Sequence, residues 1–304
     1  KQARQKAGGQ ARKDISNFAK IGDTPKFRYM LPSIPAGAVL TISEKIHGTS
    51  GRTGYLKLSR PMILKYPWWQ RLFNWLGTKK NLPAKITETY NEYVSGSRRM
   101  IIAQGEQVPG IKPDGEEIPL GYRQEIHNSL IGCLRLGEAI YYEIVVVNNQ
   151  GTSEFHQKIN DNKSDAVLRS LRKKYGERME YLYNVPPGTW KIWIYKITMQ
   201  NEQGDAMPLS YNAMRARALQ LGIDTVPVLE QFIYDSNSEK LNERLASISD
   251  GPSTLDSTHI REGLAVHVDA PTMQTVMKRK GFAFCHLEGI AKNDESYVDP
   301  EEIA

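Results

Sequence analysis

Residues Ala139-Ile140-Tyr141-Tyr142-Glu143-Ile144-Val145-Val146-Val147 form an apolar run whose only carboxylate, Glu143, sits at its middle. β-Branched and aromatic side chains dominate it, so the run predicts a strand. A carboxylate inside such a strand costs free energy unless it is answered. Any fold for this chain must therefore bring a cation or a ligand hydroxyl to Glu143.

One cation stands out. In Ser43-Glu44-Lys45-Ile46-His47-Gly48-Thr49-Ser50-Gly51-Arg52, a lysine lies between an apolar strand, Ala38 to Ile42, and a glycine-containing turn. Desolvation and neighbouring cations at such a position lower the pKa of an amine and make it a nucleophile. A solvated lysine in a surface turn fits the same short run, and only context separates the two.

The chain has 304 residues, room for one large domain or two small ones. With 40% hydrophobic and 24% charged residues it has the balance of a globular protein. The net charge of +6 suits a polyanionic partner and equally a basic enzyme. The only two cysteines, Cys133 and Cys285, lie in apolar settings and argue against a disulfide framework or a zinc site, which points to a reducing, cytoplasmic interior. No apolar run approaches the roughly 18 residues of a bilayer span. Lys1 to Lys13 is polar and shows no signal peptide, and the missing initiator methionine suggests a trimmed start.

Residues 1–15 read as a basic arm, and Thr53 to Leu58 as a strand. Trp68 to Lys80 interleaves aromatics with cations, which suits base stacking, a membrane surface or a helix packed on the domain. Ser95-Gly96-Ser97-Arg98-Arg99 suits phosphate contact. Helices are expected over Tyr122 to Leu136, Lys163 to Arg178, Tyr211 to Leu221 with Gly222 as its cap, and Glu239 to Ile248. Further strands are expected over Trp190 to Thr198, Thr225 to Leu229, Arg261 to Val268 and Val276 to Phe284. Trp193 and Tyr195 share one strand face, as do Lys278 and Lys280, and that lysine pair calls for an anion.

The order of these pieces, from Lys45-x-His47-Gly48 through Glu143, the aromatic strand and Glu262-Gly263 to Lys278-x-Lys280, resembles the covalent nucleotidyltransferases: DNA ligases, RNA ligases and capping enzymes. The Lys-x-His-Gly form is similar to phage T4-type RNA ligases, which seal nicked double-stranded RNA, and to their editing-ligase relatives. Residues 210–229 resemble the helix and Val-Pro-Val segment of those ligases. The resemblance implies an α+β fold with an ATP-grasp-like core of two antiparallel sheets flanked by helices, and an ATP cleft between them. It implies a basic arm over 1–20, an adenylyltransferase domain over 21–290 and a short tail over 291–304 without an OB-fold, a compact form that would suit a bacteriophage.

The same resemblance implies roles. Lys45 attacks the α-phosphorus of ATP, and Lys278 and Lys280 neutralise the developing charge. Glu143 contacts the ribose, and Glu262 lies near the lysine and the metal, Mg²⁺ or Mn²⁺ in its place. Glu44 meets the adenine amino group and Gly48 belongs to the nucleotide-binding turn. Trp193 is the first choice to stack on adenine and Tyr195 the second, and Arg98 is the candidate for a phosphate contact. His47 is expected to act in sealing, a turn histidine bonded to backbone being its other reading. The implied substrate is RNA, with DNA as the alternative, and no membrane is involved. Ser50 departs from the family's Asn-like position and Lys196 stands where an acid is common. A capping-type guanylyltransferase and a non-catalytic nucleic-acid-binding protein on the same fold are the other readings.

Overall fold

The computed structural model describes residues 18–63, 85–113, 115–162, 164–201 and 204–289. The basic arm before Phe18, the Trp68 to Lys80 segment and the C-terminal tail lie outside the described residues.

In chain order the elements are α1 (Phe27–Met30), β1 (Val39–Lys45), β2 (Thr49–Ile63), β3 (Lys85–Gly96), β4 (Ile101–Gln104), β5 (Gly110–Ile111), β6 (Glu117–Ile118) and α2 (Tyr122–Leu130). There follow β7 (Glu138–Val147), β8 (His156–Lys158), α3 (Ala166–Tyr175), β9 (Arg178–Glu180), β10 (Thr189–Gln200), β11 (Ala206–Pro208) and α4 (Tyr211–Leu221). The last are β12 (Val228–Ile233), α5 (Ser238–Ser249), β13 (Gly263–Ala270), β14 (Met273–Lys280) and α6 (Phe282–Leu287). Two antiparallel sheets organise them, one in the order β12-β1-β13-β14 and one in the order β11-β10-β7-β2-β3-β4.

The apolar run around Glu143 is β7, an interior strand paired with β2 and β10. Both of its faces are covered, which explains why its sequence shows no polar alternation. Ile140, Tyr142 and Ile144 pack with Ile126 and Leu130 of α2 and with Tyr211, Met214 and Ala218 of α4. Val145 and Val147, on the opposite face, join Leu168 and Leu171 of α3 and Phe284 of α6. In the smaller sheet, Leu40 and Ile42 of β1 pack with Leu241 and Leu245 of α5. The alternate residues Ser43 and Lys45 face a cavity between the two sheets.

Local signals fix several boundaries. α4 has the expected limits: the Ser210 hydroxyl accepts from the Ala213 N–H, and Gly222 ends the helix at φ +68°. α2 stops at Leu130, short of the expected Leu136, because Ile131 is extended. The last strand ends at Lys280 instead of reaching Phe284. There the Asp250 carboxylate accepts from the N–H groups of Phe282 and Ala283, at 3.1 and 2.8 Å, and opens α6.

The backbone before β1 bridges the sheets. The Phe18 carbonyl accepts from Arg52 at 2.8 Å and that of Ala19 from the Tyr141 hydroxyl at 3.1 Å, both in the larger sheet. The Pro25 carbonyl accepts from the Lys278 N–H in the smaller one at 2.8 Å. Between these anchors Asp23 pairs with Arg98.

A buried ion pair pins α4 to β7. Arg217 donates to both oxygens of Glu138, at 2.7 and 2.8 Å, and the Glu138 side chain is 1% exposed. Arg217→Ala leaves the buried carboxylate without its cation and with the Arg135 N–H, at 2.8 Å, still donating to it, so it is expected to cost about 3–5 kcal/mol in urea unfolding. R217M/E138Q, which removes the charge as well, is expected to cost less.

Candidate active site

A cavity of about 570 Å³ opens between the sheets, and Lys45, His47, Glu143, Tyr195, Glu262 and Lys278 line it. Lys45 is the last residue of β1 and lies opposite Gly263 of β13. Its Nζ donates to Glu262 Oε1 at 2.6 Å, and the Glu262 side chain is 2% exposed. His47 Nδ1 lies 3.3 Å from the other oxygen, Oε2. Burial opposes the Glu262 charge, but Lys45 and then His47 outweigh it and hold the carboxyl down at about 2.

Glu143 meets the other side of the turn. Ser50 lies opposite it in the β2–β7 pair and donates to its Oε2 at 3.1 Å. Burial raises the Glu143 carboxyl to about 7, against the pull of Lys45 and with a push from Glu262. Gly48 is what allows this closeness. A Cβ there would lie 2.4 Å from the Ile144 carbonyl oxygen and 3.1 Å from Glu143 Cγ. Gly263 is as tightly placed, since a Cβ would come within 2.2 Å of the Arg279 carbonyl oxygen.

Glu44 is fully buried. Its Oε2 accepts from the Thr254 N–H at 2.8 Å and the Thr254 hydroxyl at 2.7 Å, while Oε1 has no hydrogen-bond partner among the described residues. Its backbone N–H donates to the carbonyl of Pro227, in the Val-Pro-Val segment, at 2.9 Å. The cavity thus carries a buried acceptor suited to an amino group.

Two expected residues are engaged by the chain itself. Trp193 is 1% exposed and packs in the core against Tyr183, 5.9 Å between ring centroids, so it does not line the cavity. Tyr195 does, at a register break between Ile194 and Lys196. Lys280, paired with Gly263, donates to Glu288 Oε2 at 2.7 Å and its charge also helps hold Glu262 down, so a carboxylate of the chain answers part of the expected lysine pair beside the site. Lys278 is 6% exposed and faces the cavity, and Arg98 lies at its edge with Asp23.

Some groups in the cavity wall and behind it escape sequence reasoning. Ser43 Oγ lies 3.0 Å from His267 Nε2, and burial pushes that imidazole down to about 3, so it is neutral. The signal for His267 is its place two residues from Ala265 on β13, on the face toward the cavity. Arg123 donates to Thr49 Oγ1 at 2.7 Å and braces the turn from α2, with no local motif to announce it. Among the described residues no three His, Cys, Asp or Glu side chains form a metal cage. Glu143 and Glu262, two carboxylates lining the cavity, are the hard oxygen donors that could share a divalent cation with a ligand.

These carboxyls make stability depend on pH. From 4.5, the ordinary Glu143 value, up to about 7, the unfolded chain ionises this group while the folded one keeps its proton, so stability falls as pH rises. Glu262 works the other way: its contribution is present above 4.5 and is lost as pH falls toward about 2. Glu143→Gln is expected to abolish the first effect. Across that upper window the wild type should lose about 3 kcal/mol relative to E143Q, measured by urea unfolding at each end.

No known protein family matches the sequence, and no curated protein does. Solved structures do share the fold. Naegleria gruberi RNA ligase with PPi matches at a TM-score of 0.51 and 14% identity, over 94% of this chain and 63% of that one. A mutant of the same ligase with ATP and Mn gives 0.49 at 13% identity, over 90% and 58%. The chain therefore spans about 63% of the length of the Naegleria ligase. Over the aligned part this chain and that ligase have one fold in common, which in this chain is two antiparallel sheets flanked by helices.

Proposed function

We propose that the chain is an ATP-dependent polynucleotide ligase that seals RNA through a lysine-bound adenylate. The observation that carries this reading is Lys45 Nζ, held 2.6 Å from a buried, ionised Glu262 in a cavity large enough for a nucleotide. The Naegleria fold and the order of motifs shared with T4-type ligases support it.

Each group has a task in this reading. Lys45, an ammonium while it faces ionised Glu262, first gives up a proton, for which the carboxylate at 2.6 Å is the acceptor in reach, and the neutral amine then attacks the α-phosphorus of ATP. A P–N bond forms, the bond to the bridging oxygen breaks, and pyrophosphate leaves. Glu262 fixes the direction of Nζ, and Lys278 neutralises charge gathering on the α-phosphate. The unpartnered oxygen of Glu44 takes the adenine amino group, Tyr195 packs against the base, and Glu143 meets a ribose hydroxyl. Arg98 takes a phosphate at the rim. Mg²⁺, or Mn²⁺ in its place, would be held by ATP phosphates with Glu262 or Glu143, and would supply positive charge against the phosphates. AMP then passes from Lys45 to a 5′-phosphate end, and a 3′-hydroxyl displaces it to close the strand. His47, where DNA ligases usually carry Asp, favours RNA as substrate and a part in sealing. The cytoplasm, including that of a phage-infected cell, is the matching site of action.

Incubation with [α-³²P]ATP and a divalent cation is the test. The wild type is expected to retain label, Lys45→Ala to retain none, and Lys278→Ala to be labelled about 10²–10³ times more slowly. Equal labelling of wild type and K45A sinks the reading. Nicked RNA is expected to be sealed in preference to nicked DNA, and labelled GTP to leave the protein bare, which separates the DNA-ligase and capping alternatives.

A further inference from the structure

The turn between β1 and β2 leaves the His47 N–H outside both sheets, and a backbone donor in such a place needs a partner. The partner comes from far along the chain: the His47 N–H donates to the Tyr183 hydroxyl oxygen at 2.7 Å. Tyr183 lies between β9 and β10, in the excursion that leaves the larger sheet after β7.

That tyrosine is held in an unusual way. Tyr183 and Asn184 have φ of +50° and +57°. Asparagine tolerates this left-handed conformation, but a bulky tyrosine seldom adopts it. Such strain persists only where the surroundings over-determine it. Here Asn184 Nδ2 donates to the Leu255 carbonyl at 2.5 Å, and the Tyr183 ring meets His259 edge-on, 4.4 Å between centroids. His259 Nδ1 lies 2.9 Å from the carbonyl oxygen of Ile260, two residues before Glu262. One buried ring therefore touches the backbone of the His47 turn and the segment that delivers Glu262. Neighbouring Tyr181 packs on the His47 imidazole, 4.5 Å between centroids.

We propose that Tyr183 is a positioning residue for adenylate formation, its hydroxyl fixing the His47 turn, and with it Lys45, against Glu262. The proposal rests on the ligase reading above. Tyr183 is 3% exposed and does not line the cavity, so it does not touch substrate. Burial raises its phenol well above the ordinary value, which keeps it neutral and leaves geometry as its contribution.

The test uses Tyr183→Phe in the full chain, which keeps the ring and removes the acceptor. Two readouts are taken: hydrogen exchange of the His47 amide by NMR, and single-turnover labelling with [α-³²P]ATP over a range of ATP concentrations. The His47 amide is expected to exchange at least about tenfold faster, and the maximal rate of lysyl-adenylate formation to fall about tenfold at an unchanged half-saturating ATP concentration. A merely structural role would weaken ATP binding and rate together. Asn184→Gly, which keeps the phenol and cuts its tie to Leu255, is expected to show the same split in smaller measure if Y183F folds poorly. A wild-type rate in Y183F, or unchanged amide protection, overturns the proposal. An unlabelled wild type overturns the ligase reading instead, and amide exchange then still decides whether Tyr183 holds the turn.

Discussion

Two buried carboxylates converge on Lys45, and how that lysine's charge is shared between them governs the site. Glu262 takes the larger share, with Nζ at 2.6 Å and His47 on its second oxygen, and stays ionised. Glu143 receives less, feels Glu262 as a neighbour of like sign, and sits near neutrality. The asymmetry begins in the backbone. Register places Lys45 opposite Gly263, and the missing side chain at Gly263 lets β14 close over the residue after Glu262. On the other side, the missing side chain of Gly48 lets β7 bring Glu143 under the turn. Two glycines thus set where the carboxylates stand beside Lys45.

Much of this is legible in the sequence because it is local or periodic. The limits of α4 follow from Ser210 and Gly222, and the central position of β7 fits its unbroken apolar run. Lys45, Glu143, Glu262 and Lys278 can be nominated from their order along the chain. What distinguishes Trp193 from Tyr195 is not local. Both lie on one face of one strand, and the ring that is covered is the one on which Tyr183 packs after a long excursion. Asp250 ending the last strand is likewise a contact between distant segments, while Glu288 answers Lys280 from just beyond α6, the helix that follows it. Alternation gives the side of a strand, and tertiary packing decides which residues on that side remain open.

The excursion between β7 and β10 therefore has an architectural part. It contributes Tyr181 and Tyr183 to the core beneath the His47 turn and joins that core to Val145, Val147 and Phe284. The covered face of the larger sheet and the support of the proposed nucleophile are one cluster, so core packing and site geometry are coupled there.

The bridge of backbone ahead of β1 carries Asp23 onto Arg98 at the rim of the cavity. In the proposed reaction an incoming phosphate at that rim would meet a cation already matched with a carboxylate. What Arg98 offers is then an exchange of one anion for another, and its value is the difference between two contacts that dissolved salt weakens together. Such a cation can discriminate between anions while adding little to overall attraction, which is a property of a selector more than of an anchor.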